Sequence, residues 1–168
     1  PGAKNAVLKA SRIAKNKGRC IALGLSDSLC VVRNRDSFRE FIADYVNVLF
    51  ANEQEMISLY QEEDIMSAIS KASRDCNIAV TTIGENGSII GDGKSRYIID
   101  PVILDPVVDT TGAGDIYAAG FLFGMTNGYN IETCGRLGSI AAAEVISHTG
   151  GRPARGLRDI LIHMLDYD

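Results

Sequence analysis

The stretch Asp109-Thr110-Thr111-Gly112-Ala113-Gly114-Asp115, continuing through Ile116-Tyr117-Ala118-Ala119-Gly120-Phe121-Leu122, decides how the rest of the chain is read. Two hydroxyl residues lead into two glycines, and a run of small and apolar residues then starts a helix with Asp115 in its first turn. The first N–H groups of a helix have no partner inside it, and the macrodipole adds partial positive charge at that end. Glycines ahead of such a start let backbone amides approach a phosphate closely. A carboxylate beside phosphates is electrostatically unfavourable, so Asp115 asks for a reason. One reading is a general base that takes the proton of an attacking hydroxyl. The other is an acidic residue capping a helix, with glycines for tight packing. The seven residues alone leave both open.

Working outward from that stretch, Pro101 and Pro106 bracket an extended crossing segment. Ahead of it, Asn77–Thr82 reads as a strand that runs into Ile83-Gly84-Glu85-Asn86-Gly87. Asn-Gly is a hairpin signal, so Ser88–Gly91 and Arg96–Asp100 are expected as antiparallel strands across Asp92-Gly93. Val46–Ala51 is a continuous apolar run of the kind found in parallel sheets covered on both faces. Cys20–Leu25 reads as a further buried strand. Helices are predicted over 3–17, 27–32, 35–45, 56–60 and 65–76, and after the glycine stretch over 114–126, 131–147 and 157–166. In the first of these Ala3, Val7, Ala10 and Ala14 share the expected inward face, and in the fifth Ile65, Ala68, Ile69 and Ala72 do. Strands alternating with helices imply a mostly parallel α/β sheet with right-handed crossovers and an antiparallel hairpin near one edge. No repeat or linker interrupts the pattern, so residues 1–168 are read as one domain. Ligands of such sheets sit at the carboxyl ends of the strands, where the motifs fall.

The chain has 168 residues, of which 46% are hydrophobic and 23% charged, as in ordinary globular domains. Its net charge of -4, from 17 basic and 21 acidic residues without a basic cluster, argues against nucleic acid as a partner. Cys20, Cys30, Cys76 and Cys134 are scattered without metal or redox spacing and are expected as reduced, buried thiols of a cytoplasmic protein. No apolar run approaches the roughly 20 residues that span a bilayer, and a membrane partner is not expected.

Other residues carry candidate chemistry. Asn52 and Glu55 lie i, i+3 on the first turn of the helix after Val46–Ala51. They suit either Mg²⁺ held through its waters or a capping box. Thr82-x-Gly84-x-x-Gly87 suits either a nucleotide's phosphate and ribose side or a plain turn. Its glycine spacing and context are not those of a Rossmann fingerprint, and a Walker A loop is not expected. Ile140-Ala-Ala-Ala143 permits close approach by adenine or by another helix. Tyr117 and Phe121 are expected in the core.

The unbroken run from Asp109 to Leu122 resembles the second signature of the PfkB (ribokinase-like) family of carbohydrate and nucleoside kinases. With the phrasing around Leu25–Cys30 and Asn34–Phe38, the chain is most similar to bacterial adenosine kinase-like members. The resemblance implies a Rossmann-like three-layer sandwich of ribokinase type, of which this chain would be the C-terminal ATP-binding and catalytic part, without the N-terminal strands and lid. Members are close to twice this length, so the chain is read as a fragment, a split-gene product or a truncated chain. The implied activity is transfer of the γ-phosphoryl group of ATP to a hydroxymethyl group of a sugar or nucleoside. Asp115 would be the base, and Gly112, Ala113 and Gly114 the anion hole. Thr82, Gly84, Gly87 and, by its position relative to the signature, Ser139 would contact the nucleotide. Asn52 and Glu55 resemble the family's Asn-x-x-Glu motif for Mg²⁺ and phosphate, which tips the reading of that pair toward the metal. Several members bind a monovalent cation. By the resemblance Asp109 and Thr111, with backbone oxygens near His148 and Gly150, are the candidates for K⁺ here. The implied partner is a small-molecule sugar or nucleoside, and a homodimer of a full-length protein is compatible with it. The alternative reading is a non-catalytic nucleotide-binding fragment that needs the missing half.

Overall fold

The computed structural model describes residues 2–104, 106–158 and 160. They build an α/β fold on a five-stranded, mostly parallel sheet whose strands lie in chain order. The chain divides into two compact units, Pro1–Thr81 with Gly91–Arg96 and Thr82–Ile90 with Tyr97–Asp168.

The first unit opens with helix α1 (Gly2–Asn16), followed by β1 (Ala22–Gly24), α2 (Ser28–Arg33), α3 (Arg35–Tyr45), β2 (Val48–Asn52), α4 (Glu53–Tyr60), α5 (Ile65–Asp75) and β3 (Ile78–Thr82). Strands β1 and β2 pair in parallel, with Ala22, Leu23 and Gly24 opposite Val48, Leu49 and Phe50. Carboxylate and amide side chains set the helix starts. Asp27 accepts from Cys30 N at 2.8 Å, and Asp64 from Ser67 N at 2.9 Å. Val31, Ile42, Val48, Leu49, Met56, Leu59, Ile69 and Val80 are wholly buried and form this unit's apolar interior. Ala68, Ile69 and Ala72 of α5 point inward as their spacing predicts.

Two expectations are corrected here. Cys20–Leu25 is not a buried strand. Its regular part shrinks to β1, the outermost strand of the sheet, with Ala22 and Gly24 exposed. An edge strand has a neighbour on one side only, and an apolar composition does not say which strand takes that place. Helix α1 also faces its neighbour differently, since Ala3, Val7 and Ala10 are exposed and Ser11 is its buried residue. The small Ser11 allows close approach, while Lys4 donates to Ser37 Oγ at 3.1 Å and Lys15 to Asp44 O at 2.6 Å along α3. Polar ends that reach across to α3 decide the orientation, and an apolar count does not see them.

The second unit takes in β4 (Ser88–Gly91) up to Ile90, β5 (Arg96–Ile99) from Tyr97, α6 (Ala113–Thr126) and α7 (Ile131–Ile146), while the tip between the two strands, Gly91–Arg96, counts with the first unit. Gly84–Asn86 forms one 3₁₀ turn ahead of β4, so Asn86-Gly87 closes a longer connection than a two-residue hairpin. The β4–β5 tip contains Gly93-Lys94-Ser95, the ending of a Walker A pattern. Position 88 is Ser where that pattern needs Gly, and the segment joins strand to strand. Asp92 Oδ1 instead accepts from the amides of Lys94 and Ser95, an ordinary turn.

Helices α6 and α7 approach closely through glycines. A Cβ on Gly120 would lie 2.5 Å from Leu137 O, and one on Gly138 2.9 Å from the Tyr117 ring. Leu137, Ile140 and Ala141 form the centre of the packing, flanked by Val102, Ile116, Phe123, Leu157 and Ile160. Tyr117 and Phe121 are buried, as their spacing predicts. The helix predicted over 157–166 falls largely outside the described residues. Among the cysteines, Cys76 and Cys134 are buried, but Cys20 and Cys30 are exposed, against expectation. No helix among the described residues is long and apolar enough to cross a membrane.

Candidate active site

The signature loop of the second unit is held from behind. Val108 N donates to Ile146 O at 2.8 Å, which ties the approach to the loop onto the end of α7. Asp109 then closes the loop on itself and on the segment after α7. Its Oδ1 accepts from Thr111 N and its Oδ2 from Gly150 N, both at 2.9 Å. These bonds, Gly150 first and then those from Thr111, hold the carboxyl at about 2, well below its ordinary value of 3.8. Asp109 is therefore an anion engaged by N–H donors through both oxygens. Among the described residues no group of three or more His, Cys, Asp and Glu is placed to hold a metal.

Gly112 precedes α6 in the left-handed region at φ 78°, where a side chain is strained. A Cβ there would also lie 2.9 Å from Gly151 Cα and 3.0 Å from Gly151 O. This glycine is thus required by packing against its own unit. Ala113 N donates to Thr110 O at 3.2 Å and Ile116 N to Gly112 O at 3.0 Å. The two amides between them, of Gly114 and Asp115, have no hydrogen-bond partner among the described residues. Gly114 has nothing within 4 Å of where a Cβ would sit. Asp115 is exposed and its carboxylate makes no hydrogen bond or ion pair among the described residues. The result is a helix start with two donors, open space beside them and a free carboxylate on the same turn. That arrangement can receive an anion and can accept a proton next to it.

The other sequence candidates of this unit occupy their own places. Thr82 ends β3 and Gly84 adopts φ 61° with open space beside it. Gly87, at φ 88°, is fixed by packing, because its Cβ would meet Ile99 O at 2.0 Å. Ser139 is 7% exposed, within the helix packed on α6. In the first unit Asn52 and Glu55 form a complete capping box. Asn52 Oδ1 accepts from Glu55 N at 2.8 Å, and Glu55 Oε2 accepts from Asn52 N at 2.9 Å. Glu55 is buried, which is unusual for an N3 carboxylate that only caps.

Sequence reading did not single out Glu144. This α7 residue is 4% exposed, and its Oε1 accepts from Ala154 N at 3.0 Å and Arg155 N at 3.1 Å. A charged residue interrupting Ala141–Val145 was the available signal.

Residues 1–155 match the family described as pfkB family carbohydrate kinase. An adenosine kinase structure from Sinorhizobium meliloti superposes with a TM-score of 0.94 at 45% identity, covering 98% of this chain and 50% of that one. A probable sugar kinase from Rhizobium etli CFN 42 gives 0.94 at 44% identity with the same coverage. A cytidine kinase of Thermococcus kodakarensis is 35% identical over 121 residues, which are 71% of this chain and 43% of that protein. The chain thus spans about half the length of the proteins it matches. An α/β chain matched over residues 1–155 and carrying this loop belongs to the pfkB family of carbohydrate kinases.

Proposed function

We propose that the protein to which this chain belongs transfers the γ-phosphoryl group of ATP to a hydroxymethyl group of a nucleoside or sugar, with residues 1–168 as the ATP-binding and catalytic part. The observation that carries this is the start of α6, where, among the described residues, the Gly114 and Asp115 amides have no partner, open space lies beside Gly114 and the Asp115 carboxylate is unpaired. Similarity to an adenosine kinase and a cytidine kinase favours a nucleoside acceptor of adenosine kinase-like type.

In this reading Asp115 takes the acceptor's hydroxyl proton as the oxygen attacks phosphorus. The Gly114 and Asp115 amides stabilise charge on the transferring group, each donor of this kind contributing roughly 3–4 kcal/mol. Ala113 contributes through the turn that orients them, since its amide already bonds Thr110 O. Gly112 sets the loop against Gly151. Thr82 and Gly84 accompany the nucleotide, Gly87 shapes that turn, and Ser139 lies on the adenine side. Mg²⁺, when bound, would supply charge neutralisation for the nucleotide's phosphates. Glu55 and Asn52 would hold it through water, which suits an ion that takes few protein ligands. Thr111 and Asp109 remain the candidates for a monovalent cation, and Asp109's two N–H bonds limit what it can offer.

The second reading, a nucleotide-binding part that is inactive without a further polypeptide segment, is favoured by the half-length match. Phosphoryl transfer from labelled ATP·Mg²⁺ to a panel of nucleosides and sugars, measured for wild type and Asp115→Asn, separates the two. Turnover that collapses in Asp115→Asn with ATP binding retained supports the kinase. Turnover within a few-fold of wild type removes Asp115 from its role. Nucleotide binding without turnover in the wild type selects the second reading.

A further inference from the structure

We infer that Glu144 is a positioning residue for the signature loop, acting through the segment 148–155. The carboxylate is 4% exposed and comes from the stretch 137–146 of α7, whose other residues are all small or apolar. A carboxylate in that setting is costly unless donors surround it. Oε1 receives two, the amides of Ala154 and Arg155 at 3.0 and 3.1 Å. His148 Nε2 lies 3.6 Å from the same oxygen, while Oε2 is buried with no hydrogen-bond partner among the described residues. Three residues of one irregular segment therefore converge on a single oxygen.

That segment is the wall against which the signature loop is built. Gly150 N bonds Asp109 Oδ2 at 2.9 Å, and Gly151 meets the face of Gly112 that leaves no room for a Cβ. Gly112 in turn sets the direction in which α6 begins. The path from Glu144 to the Gly114 and Asp115 amides runs along the chain from 154–155 to 150–151, crosses to Asp109 and Gly112, and follows the loop into α6, within one unit. The carboxylate fixes the far end of the segment, residues 154–155, and Asp109 fixes the near end. Without Glu144 residues 154–155 lose their two bonds to the carboxylate, and the segment is held at its near end, by Asp109 and by Gly112, alone among the described contacts. Calling the positioned group an anion hole rests on the proposed function, but the mechanical coupling does not.

Backbone amide hydrogen exchange, resolved by NMR, tests the coupling without any assay of activity. Glu144→Leu should speed exchange at Ala154 and Arg155, and also at Gly150 and Thr111, by at least about tenfold. Glu144→Gln, which keeps a carbonyl acceptor, should restore protection at all four. Coupling is reciprocal, so Asp109→Ala, at a surface loop, should speed exchange at Ala154 and Arg155 as well. This second variant carries the test where Glu144→Leu does not fold. If the effects of each variant stay at its own end, with Gly150 and Thr111 unchanged in Glu144→Leu or Ala154 and Arg155 unchanged in Asp109→Ala, Glu144 merely caps a local turn and the inference is overturned. Absence of phosphoryl transfer in the wild type would remove the kinase reading and leave this result standing.

Discussion

Gly112 and Gly114 stand two residues apart in the same loop, yet alanine should affect them oppositely. At Gly112 the new Cβ meets a left-handed φ of 78° and backbone atoms of Gly151 at 2.9 and 3.0 Å. The left-handed conformation costs an ordinary residue about 1–2 kcal/mol. Overlap with backbone that cannot rotate away adds about 1–3 kcal/mol. The total of about 2–5 kcal/mol corresponds, for a chain of this size, to a melting point lower by roughly 4–20 °C. Gly114 lies in the first turn of α6 with nothing within 4 Å of its Cβ position. Alanine there gains up to about 1 kcal/mol from reduced freedom of the unfolded chain. The methyl group would nevertheless occupy the space beside the two free amides, and Mg·ADP binding should weaken by at least about tenfold, near 1.4 kcal/mol. Calorimetric melting and isothermal titration of both variants give the answer. A Gly112→Ala protein that melts within a degree or two of wild type, or a Gly114→Ala protein destabilised as much as Gly112→Ala, would show that the two glycines do not divide these roles.

Two more predictions concern the contacts around the loop. Asp109 titrates at about 2 in the folded protein against an ordinary 3.8, so its contribution is complete above about pH 4 and is lost as pH falls toward 2. Protection of the Gly150 amide should follow that window in wild type and lose its acid dependence in Asp109→Asn; a transition centred at or above pH 4 contradicts the assignment. Ser88 Oγ and Tyr117 OH share a buried 2.7 Å hydrogen bond. Tyr117→Phe should cost about 1–3 kcal/mol by leaving Ser88 unpartnered. Adding Ser88→Ala should recover part of that in a urea-unfolding double-mutant cycle; strictly additive losses would show that the hydroxyls do not depend on each other.

The sequence was most informative where one signal acted alone. Helix α3 begins at Arg35 and ends at Tyr45 as its 3–4 spacing indicates, and the apolar run before Asn52 is a buried strand. It was least informative where tertiary contacts chose between equivalent patterns. The exposure of Val7 and the burial of Ser11 depend on lysines bonding to α3, and the exposure of β1 depends on its place at the sheet's edge. At the candidate site, the turn and helix start were legible from Gly112 to Asp115. The division of labour between the glycines was not, because Gly151 lies 39 residues away in the chain and only the fold brings it against Gly112. Glu144 escaped notice for the same reason, since its donors are backbone amides that no residue pattern announces.

The two amides at the start of α6 that have no partner among the described residues are proposed to receive the phosphates of a nucleotide. Following the ¹⁵N–¹H resonances of Gly114 and Asp115 while Mg·ADP is added decides this. Both should shift and saturate together, and Ala113, whose N–H already bonds Thr110 O, should move less. Saturable nucleotide binding that leaves both resonances in place would contradict it.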